Sequence, residues 1–242
     1  MKKIILLFLL FPVIIYSQVI MSWNIQDLGK AKYQKDTIIP AIANVMIDSK
    51  ADIIAIQEVV VNSYGDSCII QLAKLLKYNY IISDRTTGDG VERYAYLYNK
   101  DILLNYATLD IVLEDVINRE PYIASFKYNC KNILIRQVHI VPNNKNPQQE
   151  IAQLYNYKSD IICGDFNLTD KHLIYIPLLS NFNSPLYGLP TTLKTDGTIS
   201  ENSYDHFLVD KKIKVNYQYV YDYTYHGNRK LLSDHLPIII IL

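Results

Sequence analysis

Short apolar runs that close on an acid, an amide or a histidine recur along this chain, and they limit its fold more than any other feature. The sharpest case is Asp160-Ile161-Ile162-Cys163, which reads as a buried strand and runs directly into Gly164-Asp165-Phe166-Asn167. If extended geometry continues, Asp165 and Asn167 point the same way and together can hold a water, a metal or a phosphate oxygen. The strand read over residues 19–23 likewise ends at Asn24, that over 52–56 at Gln57-Glu58, and that over 133–138 at His139. The strand over 94–98 follows Glu92, that over 206–209 follows Asp205, and that over 236–241 follows Asp234-His235. If the strands lie in layered sheets, one rim collects all of these polar side chains.

Helical periodicity fills several of the gaps. Ile38, Ile42, Val45 and Met46 mark a helix over 36–47, with Pro40 tolerable in its first turn. Ile69, Leu72, Leu75 and Leu76 mark a second over 68–76, and Ile151 and Leu154 a third over 147–157. Further strands are expected over 80–83, 123–128 and 215–221, with loops over 85–90 and through most of 168–203. No linker, repeat or low-complexity tract divides the chain, so residues 19–242 read as one α/β domain with a substantial core. Many strands with few helices predict two packed sheets with helices outside, not a doubly wound parallel sheet.

Residues 1–18 read as a signal peptide. Lys2 and Lys3 supply its positive end, an apolar stretch over 4–16 is broken by Pro12, and Ser17 and Gln18 suit cleavage. The stretch is too short for a comfortable membrane span. The expectation is an exported protein, periplasmic or extracellular, monomeric, with no stable membrane association once the leader is cut. The full chain has 24 basic and 24 acidic residues, so loss of two lysines leaves 22 against 24 and a net charge of about −2. That is no basic footprint for nucleic acid. A polyanionic substrate would need bound cations to offset repulsion. Cys68, Cys130 and Cys163 show no metal-like spacing. Cys163 reads as a core thiol, whereas Cys68 and Cys130 are open to pairing in an oxidising compartment. The 21 tyrosines read as compositional drift, ahead of a stacking surface.

Each rim residue taken singly has a structural reading, as a cap, a turn residue or a hydrogen-bonded core histidine. Together they suggest a chemistry. Two histidines with several carboxylates give acid and base capacity near neutral pH. Hard oxygen ligands without a His/Cys cluster favour Mg²⁺, Mn²⁺ or Ca²⁺ over Zn²⁺. There is no serine nucleophile elbow, Walker loop or dinucleotide glycine motif. A hard metal, two imidazoles and a water-orienting Asp/Asn pair fit attack of water on a phosphate ester.

At this point the chain resembles a known family. Ser22-Trp23-Asn24, Ile56-Gln57-Glu58-Val59, Gly164-Asp165-Phe166-Asn167, Tyr204-Asp205-His206-Phe207 and Ser233-Asp234-His235-Leu236-Pro237 stand in the order of the endonuclease/exonuclease/phosphatase superfamily. Glu92-Arg93-Tyr94 and Asn118-Arg119-Glu120-Pro121 resemble its deoxyribonuclease I-like branch. The resemblance implies a four-layer α/β/β/α sandwich, two mixed β-sheets packed face to face with helices outside. It implies a metal, Mg²⁺ first, held by Glu58 with Asn24 nearby and with Asp234 completing the acidic rim. It implies that Asp165 and Asn167 orient or deprotonate the attacking water, with Asn167 also binding a phosphate oxygen. His235 would be held by Asp205 and His139 by Glu92, and Arg119 would contact a substrate phosphate. The activity implied is that of a metal-dependent phosphodiesterase, an endonuclease on DNA, with a phospholipid headgroup or small phosphoester as the alternative substrate. Two positions depart from the branch: Val60 stands where it has an arginine, and Gly90 where it has a groove-inserted tyrosine. Both losses remove groove contacts and leave the catalytic groups in place.

Overall fold

The computed structural model describes residues 17–88, 92–114, 116–128, 131–154, 157–223 and 229–242. Residues 1–16 of the expected leader, Gly90 and Cys130 lie outside them. The first half of the chain forms β1 (Val19–Leu28), α1 (Lys30–Tyr33), α2 (Ile38–Ser49), β2 (Ile53–Val59), α3 (Ser63–Leu76), β3 (Asn79–Ile82), β4 (Arg93–Tyr98) and β5 (Leu103–Leu109). The second half forms β6 (Tyr122–Tyr128), β7 (Lys131–His139), α4 (Pro147–Gln153), β8 (Ile161–Asp165), α5 (Asp170–Leu173), β9 (Phe182–Asn183), β10 (Asp205–Asp210), β11 (Tyr217–Val220), α6 (Arg229–Leu232) and β12 (Ile238–Ile241). The strands make two six-stranded sheets, ordered β11-β12-β1-β2-β4-β3 and β5-β6-β7-β8-β10-β9.

Strand alternation explains the layers. Ile20 of β1 faces the other sheet while Met21, Trp23 and Ile25 face the helices; Ile53 and Ala55 of β2 face in while Ile54 and Ile56 face out. In the second sheet, Ile135, Ile161, Cys163, Phe207 and Val209 join the inter-sheet core, while Val138, Ile162 and Leu208 pack on its outer side. Outside the first sheet, α2 buries Ile38, Ile39, Ile42, Val45 and Met46, and α3 buries Cys68, Ile69 and Leu72. Among the described residues no helix is long and apolar enough to cross a membrane.

Tyrosine has a structural role that composition alone did not suggest. Tyr94, Tyr96, Tyr98 and Tyr122 lie in the inter-sheet core, with neighbouring ring centroids 5.3–6.3 Å apart in a cluster that includes Phe126. Two of the hydroxyls reach backbone: Tyr96 Oη donates to the Tyr122 carbonyl at 3.1 Å, and Tyr94 Oη accepts from the His139 N–H at 3.1 Å. Such partners offset the cost of burying a tyrosine tip.

The boundaries differ from expectation for identifiable reasons. The second helix begins at Ser63, not 68, because the Asn62 side chain caps it by accepting from Tyr64 and Gly65 N–H at 2.9 and 3.1 Å. β5 carries no clean alternation: it is an edge strand with Leu103 and Tyr106 exposed. β1 continues past Asn24 to Leu28. The region 168–203 contains α5, β9 and an isolated bridge from Thr192 to His235. Cys68 and Cys163 are buried free thiols, and burial pushes them up to about 11 and about 12.

Each sheet is built around one parallel pair, β1 with β2 and β7 with β8, flanked by antiparallel neighbours. Parallel partners end at the same edge, and their antiparallel neighbours begin there. One end of the sandwich therefore gathers the ends of β1, β2, β7 and β8 and the starts of β4, β10 and β12. Gly164 sits at the tightest point. Its φ is +136°, and a Cβ there would lie 2.0 Å from the Val138 carbonyl oxygen of β7.

Candidate active site

Inward parity carries most of the site. Ile20 and Ser22 lead to Asn24; Ile135 and Gln137 lead to His139; Ile161 and Cys163 lead to Asp165. Working backwards, Val209 and Phe207 lead to Asp205. In the second sheet Asp165 pairs in register with His139 on one side and Asp205 on the other, so three inward side chains stand abreast. Glu58 breaks the pattern, since parity would turn Gln57 inward there. The β2–β4 register shifts between Ile56 and Val59, and Glu58 adopts φ +61°. This bulge re-aims its carboxylate toward the rim. Gln57 stays one layer below, its Nε2 3.0 Å from Gln137 Oε1 of the other sheet.

Two imidazoles, one from each sheet, are held by carboxylates. His139 Nδ1 lies 2.9 Å from both Glu92 oxygens, and His235 Nδ1 lies 2.7 Å from Asp205 Oδ2. Each pairing directs Nε2 toward the rim. Both Nε2 atoms lie 3.6 Å from the same oxygen, Asp165 Oδ2. His139 Nε2 is also 3.9 Å from Glu58 Oε1, and His235 Nε2 is 3.9 Å from Asp234 Oδ1. Burial alone would lower the His235 pKa, but the Asp205, Asp165 and Asp234 carboxylates override it and lift the ring to about 10. His139 is raised in the same way: burial opposes, and the charge and hydrogen bond of Glu92 prevail. Burial raises the Asp205 carboxyl, against the pull of His235.

A hydrogen-bonded carboxylate cluster joins the histidines. Asn24 Nδ2 donates to Glu58 Oε1 at 2.8 Å and to Asp165 Oδ2 at 3.1 Å, while its Oδ1 accepts from the Gln26 N–H at 3.0 Å. That last bond fixes which way the amide faces. Asn24, expected to help hold a metal, thus turns its nitrogen toward Glu58 and its oxygen away. As placed, it orients two carboxylates that would otherwise repel. Asn167, at φ +48°, sends its N–H to Asp165 Oδ1 at 2.8 Å and its Nδ2 to the Ile140 carbonyl at 2.9 Å. Arg119, expected at a substrate phosphate, is buried behind His139. Its Nε donates to the His139 carbonyl at 2.8 Å and its Nη2 to the Ile140 carbonyl at 2.9 Å, with Glu92 Oε2 4.0 Å away. It braces the end of β7.

Two sets of donors could hold a cation. Asp165, Asp205 and His235 are buried and offer ligand atoms within 4.8 Å of one another, but the Nδ1 of His235 already occupies an Asp205 oxygen. Glu58 and Asp234 keep more accessible carboxylates, their side chains 23% and 39% exposed. Hard oxygens on a partly open rim fit Mg²⁺, Mn²⁺ or Ca²⁺. The residues present therefore suit the metal that the motifs imply, and Asn24 Nδ2 links Asp165 of the first set to Glu58 of the second.

The rim includes Gln26 and Asp27, which sequence patterns did not single out, and Trp23 and Ser233, which stand in motifs without an assigned role. Gln26 and Asp27 continue β1 in the left-handed region, at φ +36° and +51°. The Asp27 N–H donates to Glu58 Oε2 at 2.9 Å, and Gln26 Nε2 donates to Asp234 Oδ2 at 3.0 Å. Ser233 Oγ donates to the Asn24 carbonyl at 2.7 Å and accepts from the His235 N–H at 3.0 Å. Trp23 Nε1 donates to the His235 carbonyl at 2.9 Å. The available signal was the polar pair Gln26-Asp27 directly after Asn24-Ile25 in an otherwise apolar stretch.

Comparison with known proteins agrees with this geometry. A family model described as the Endonuclease/Exonuclease/phosphatase family matches residues 21–235. Its members are phosphoesterase hydrolases that depend on divalent metals. A direct search of curated proteins matched none. Several solved structures share the fold. A family protein from Bacteroides thetaiotaomicron is 18% identical, with TM-score 0.70 over 93% of this chain and 97% of its own. D. rerio TDP2 humanized by 14 mutations is 15% identical, with TM-score 0.67 over 93% and 98%. The human Nocturnin catalytic domain is 18% identical, with TM-score 0.66 over 93% of both chains. With the family model spanning both histidines and every rim carboxylate named above, this chain belongs to the endonuclease/exonuclease/phosphatase family.

Proposed function

We propose that the protein is an exported, Mg²⁺-dependent phosphodiesterase that hydrolyses nucleic acid, DNA first. The observation that carries this reading is the convergence of two carboxylate-held imidazoles on Asp165 Oδ2, each at 3.6 Å, beside Glu58. Asp165 takes a proton from the attacking water, with Asn167 orienting that water. The new bond joins the water oxygen to phosphorus, and the bond from phosphorus to the leaving alkoxide breaks. His139 and His235, kept charged by Glu92 and Asp205, donate to phosphate oxygens and return a proton to the leaving oxygen. A divalent cation on Glu58 and Asp234 would supply Lewis-acid stabilisation of the extra charge on phosphorus-bound oxygen. Among fold neighbours, D. rerio TDP2 has been captured with a single-strand DNA product and the human Nocturnin catalytic domain with a sulfate anion, which supports a nucleic-acid substrate. The leader at residues 1–18 supports export.

A second reading, hydrolysis of a phospholipid headgroup or small phosphoester, is favoured by one observation. Val60 stands where the deoxyribonuclease I-like branch has an arginine, and it packs so closely on Gly29 that a Cβ on the glycine would lie 2.8 Å from Val60 Cγ2, so this side chain offers a nucleic-acid phosphate no charge. The deciding experiment offers plasmid, labelled single-stranded DNA and RNA, sphingomyelin and inositol phosphates, each with Mg²⁺ and with EDTA. Cleavage of nucleic acid in Mg²⁺ alone, leaving 5′-phosphate and 3′-hydroxyl ends, is expected. Intact nucleic acid beside a hydrolysed small phosphoester would replace the first reading by the second.

A further inference from the structure

Lys32 is a buried lysine, 8% exposed, in a class of residue seldom found inside without a partner. Its Nζ donates to two backbone carbonyls, of Ile25 at 2.8 Å and of Gln26. Those carbonyls flank the entry to the left-handed pair Gln26-Asp27, a conformation that L-residues adopt only under constraint. That pair in turn makes three bonds at the rim: Gln26 N–H to Asn24, Asp27 N–H to Glu58, and the Gln26 amide to Asp234. One turn thereby grips groups from β1, from β2 and from the segment before β12. The route by which Lys32 reaches it is also built in. Gly29 lies against Val60, and its carbonyl accepts from the N–H groups of Lys32 and Tyr33 at 3.1 and 2.9 Å, which starts α1 directly beneath the turn.

We propose that Lys32 is a positioning residue: it pins the Gln26-Asp27 turn and so presents Glu58 and Asp234 in a shape ready for a divalent cation. The inference rests on the reading above that these two carboxylates bind the metal. Its role differs from that of a counter-charge. A cation beneath an acidic rim would compete with a bound metal, whereas a brace favours it. The two roles therefore predict opposite signs for the same substitution.

The test is Mn²⁺ binding to the full mature chain, followed by calorimetry and by the loss of the free-ion resonance signal, without substrate. Lys32→Met keeps the length and loses the donors. It is expected to weaken Mn²⁺ binding about tenfold or more, the range seen when supporting contacts of metal ligands are removed. Lys35→Met, on an exposed lysine nearby, should leave it unchanged. Unaltered binding by folded Lys32→Met overturns the brace, and tighter binding overturns it in favour of a counter-charge. Absence of Mn²⁺ binding in the unsubstituted protein overturns the metal reading itself, and this inference with it. Should Lys32→Met not fold, Gln26→Ala takes its place, since it removes the grip on Asp234 and leaves Lys32 alone. It should weaken Mn²⁺ binding about tenfold or more, and unchanged affinity would again refute the proposal.

Discussion

Asp205→Asn isolates the charge that holds His235 while keeping the shape of the side chain. Asp205 Oδ2 lies 2.7 Å from His235 Nδ1, whereas the next carboxylates lie 3.6 and 3.9 Å from Nε2. Against the burial that lowers it, the ring is lifted from the ordinary 6.5 to about 10. That difference corresponds to about 5 kcal/mol in favour of the imidazolium. Asp205 is the nearest and largest contributor, so on the order of 2–3 kcal/mol falls to it. The sign follows from linkage. A group whose pKa is raised in the folded state contributes stability in full below its unfolded value and loses it as pH rises through the folded one. The contribution is thus complete below about pH 6.5 and gone above about pH 10. Asp205→Asn should cost roughly 2–3 kcal/mol near pH 6.5 in urea melts run in EDTA. Above about pH 10 the gap should close or reverse, because His235 is then largely neutral and the amide relieves a buried carboxylate whose pKa burial already raises. Turnover in saturating Mg²⁺ should fall about 10²–10⁴-fold, since an amide can turn its NH₂ to Nδ1 and hold the wrong tautomer. A stability loss of equal size at both pH values would refute the charged pair, and near-normal turnover would refute the assignment of His235.

Glu58→Gln should remove Mg²⁺-dependent turnover, by at least about 10²-fold, and shift the melting midpoint by no more than a few degrees, as followed by circular dichroism. A variant that keeps its rate would move the metal elsewhere. Mg²⁺ at about a hundred times its dissociation constant should stabilise the protein by about 2.7 kcal/mol, read as a midpoint raised roughly 5–10 °C that EDTA abolishes. Gly164→Ala should lower stability by about 3 kcal/mol or more, because its Cβ would lie 2.0 Å from the Val138 carbonyl oxygen at φ +136°. Cleavage of DNA at subsaturating substrate should slow steeply as salt rises from about 50 to 200 mM, through lost phosphate contacts, and a flat response would point to a small substrate.

Physical periodicity accounts for what the sequence made legible. Asn24, His139, Asp165 and Asp205 each extend the inward parity of an apolar strand, so a period of two brings them to one edge once the sheets stack. Residues far apart in the chain meet there because parallel partners end together. Glu58 did not follow from parity, which selects Gln57; its ordered motif found it, and a bulge with φ +61° is the reason both observations hold. The unread part of the rim is the part without a period. Gln26 and Asp27 take left-handed angles that their side chains do not advertise, as glycine would. Lys32 looks in sequence like one more lysine beside Lys30 and Lys35, and only the close approach of Gly29 to Val60 brings it under the turn. Arg119 shows the converse. Its motif suggested an outward contact with phosphate, yet two of its donors close on the carbonyls of His139 and Ile140, where the end of β7 needs them. Alternating strands therefore predict which residues arrive at the rim. The side chains that hold them there answer to unpaired backbone groups, which become visible only when the chain is folded.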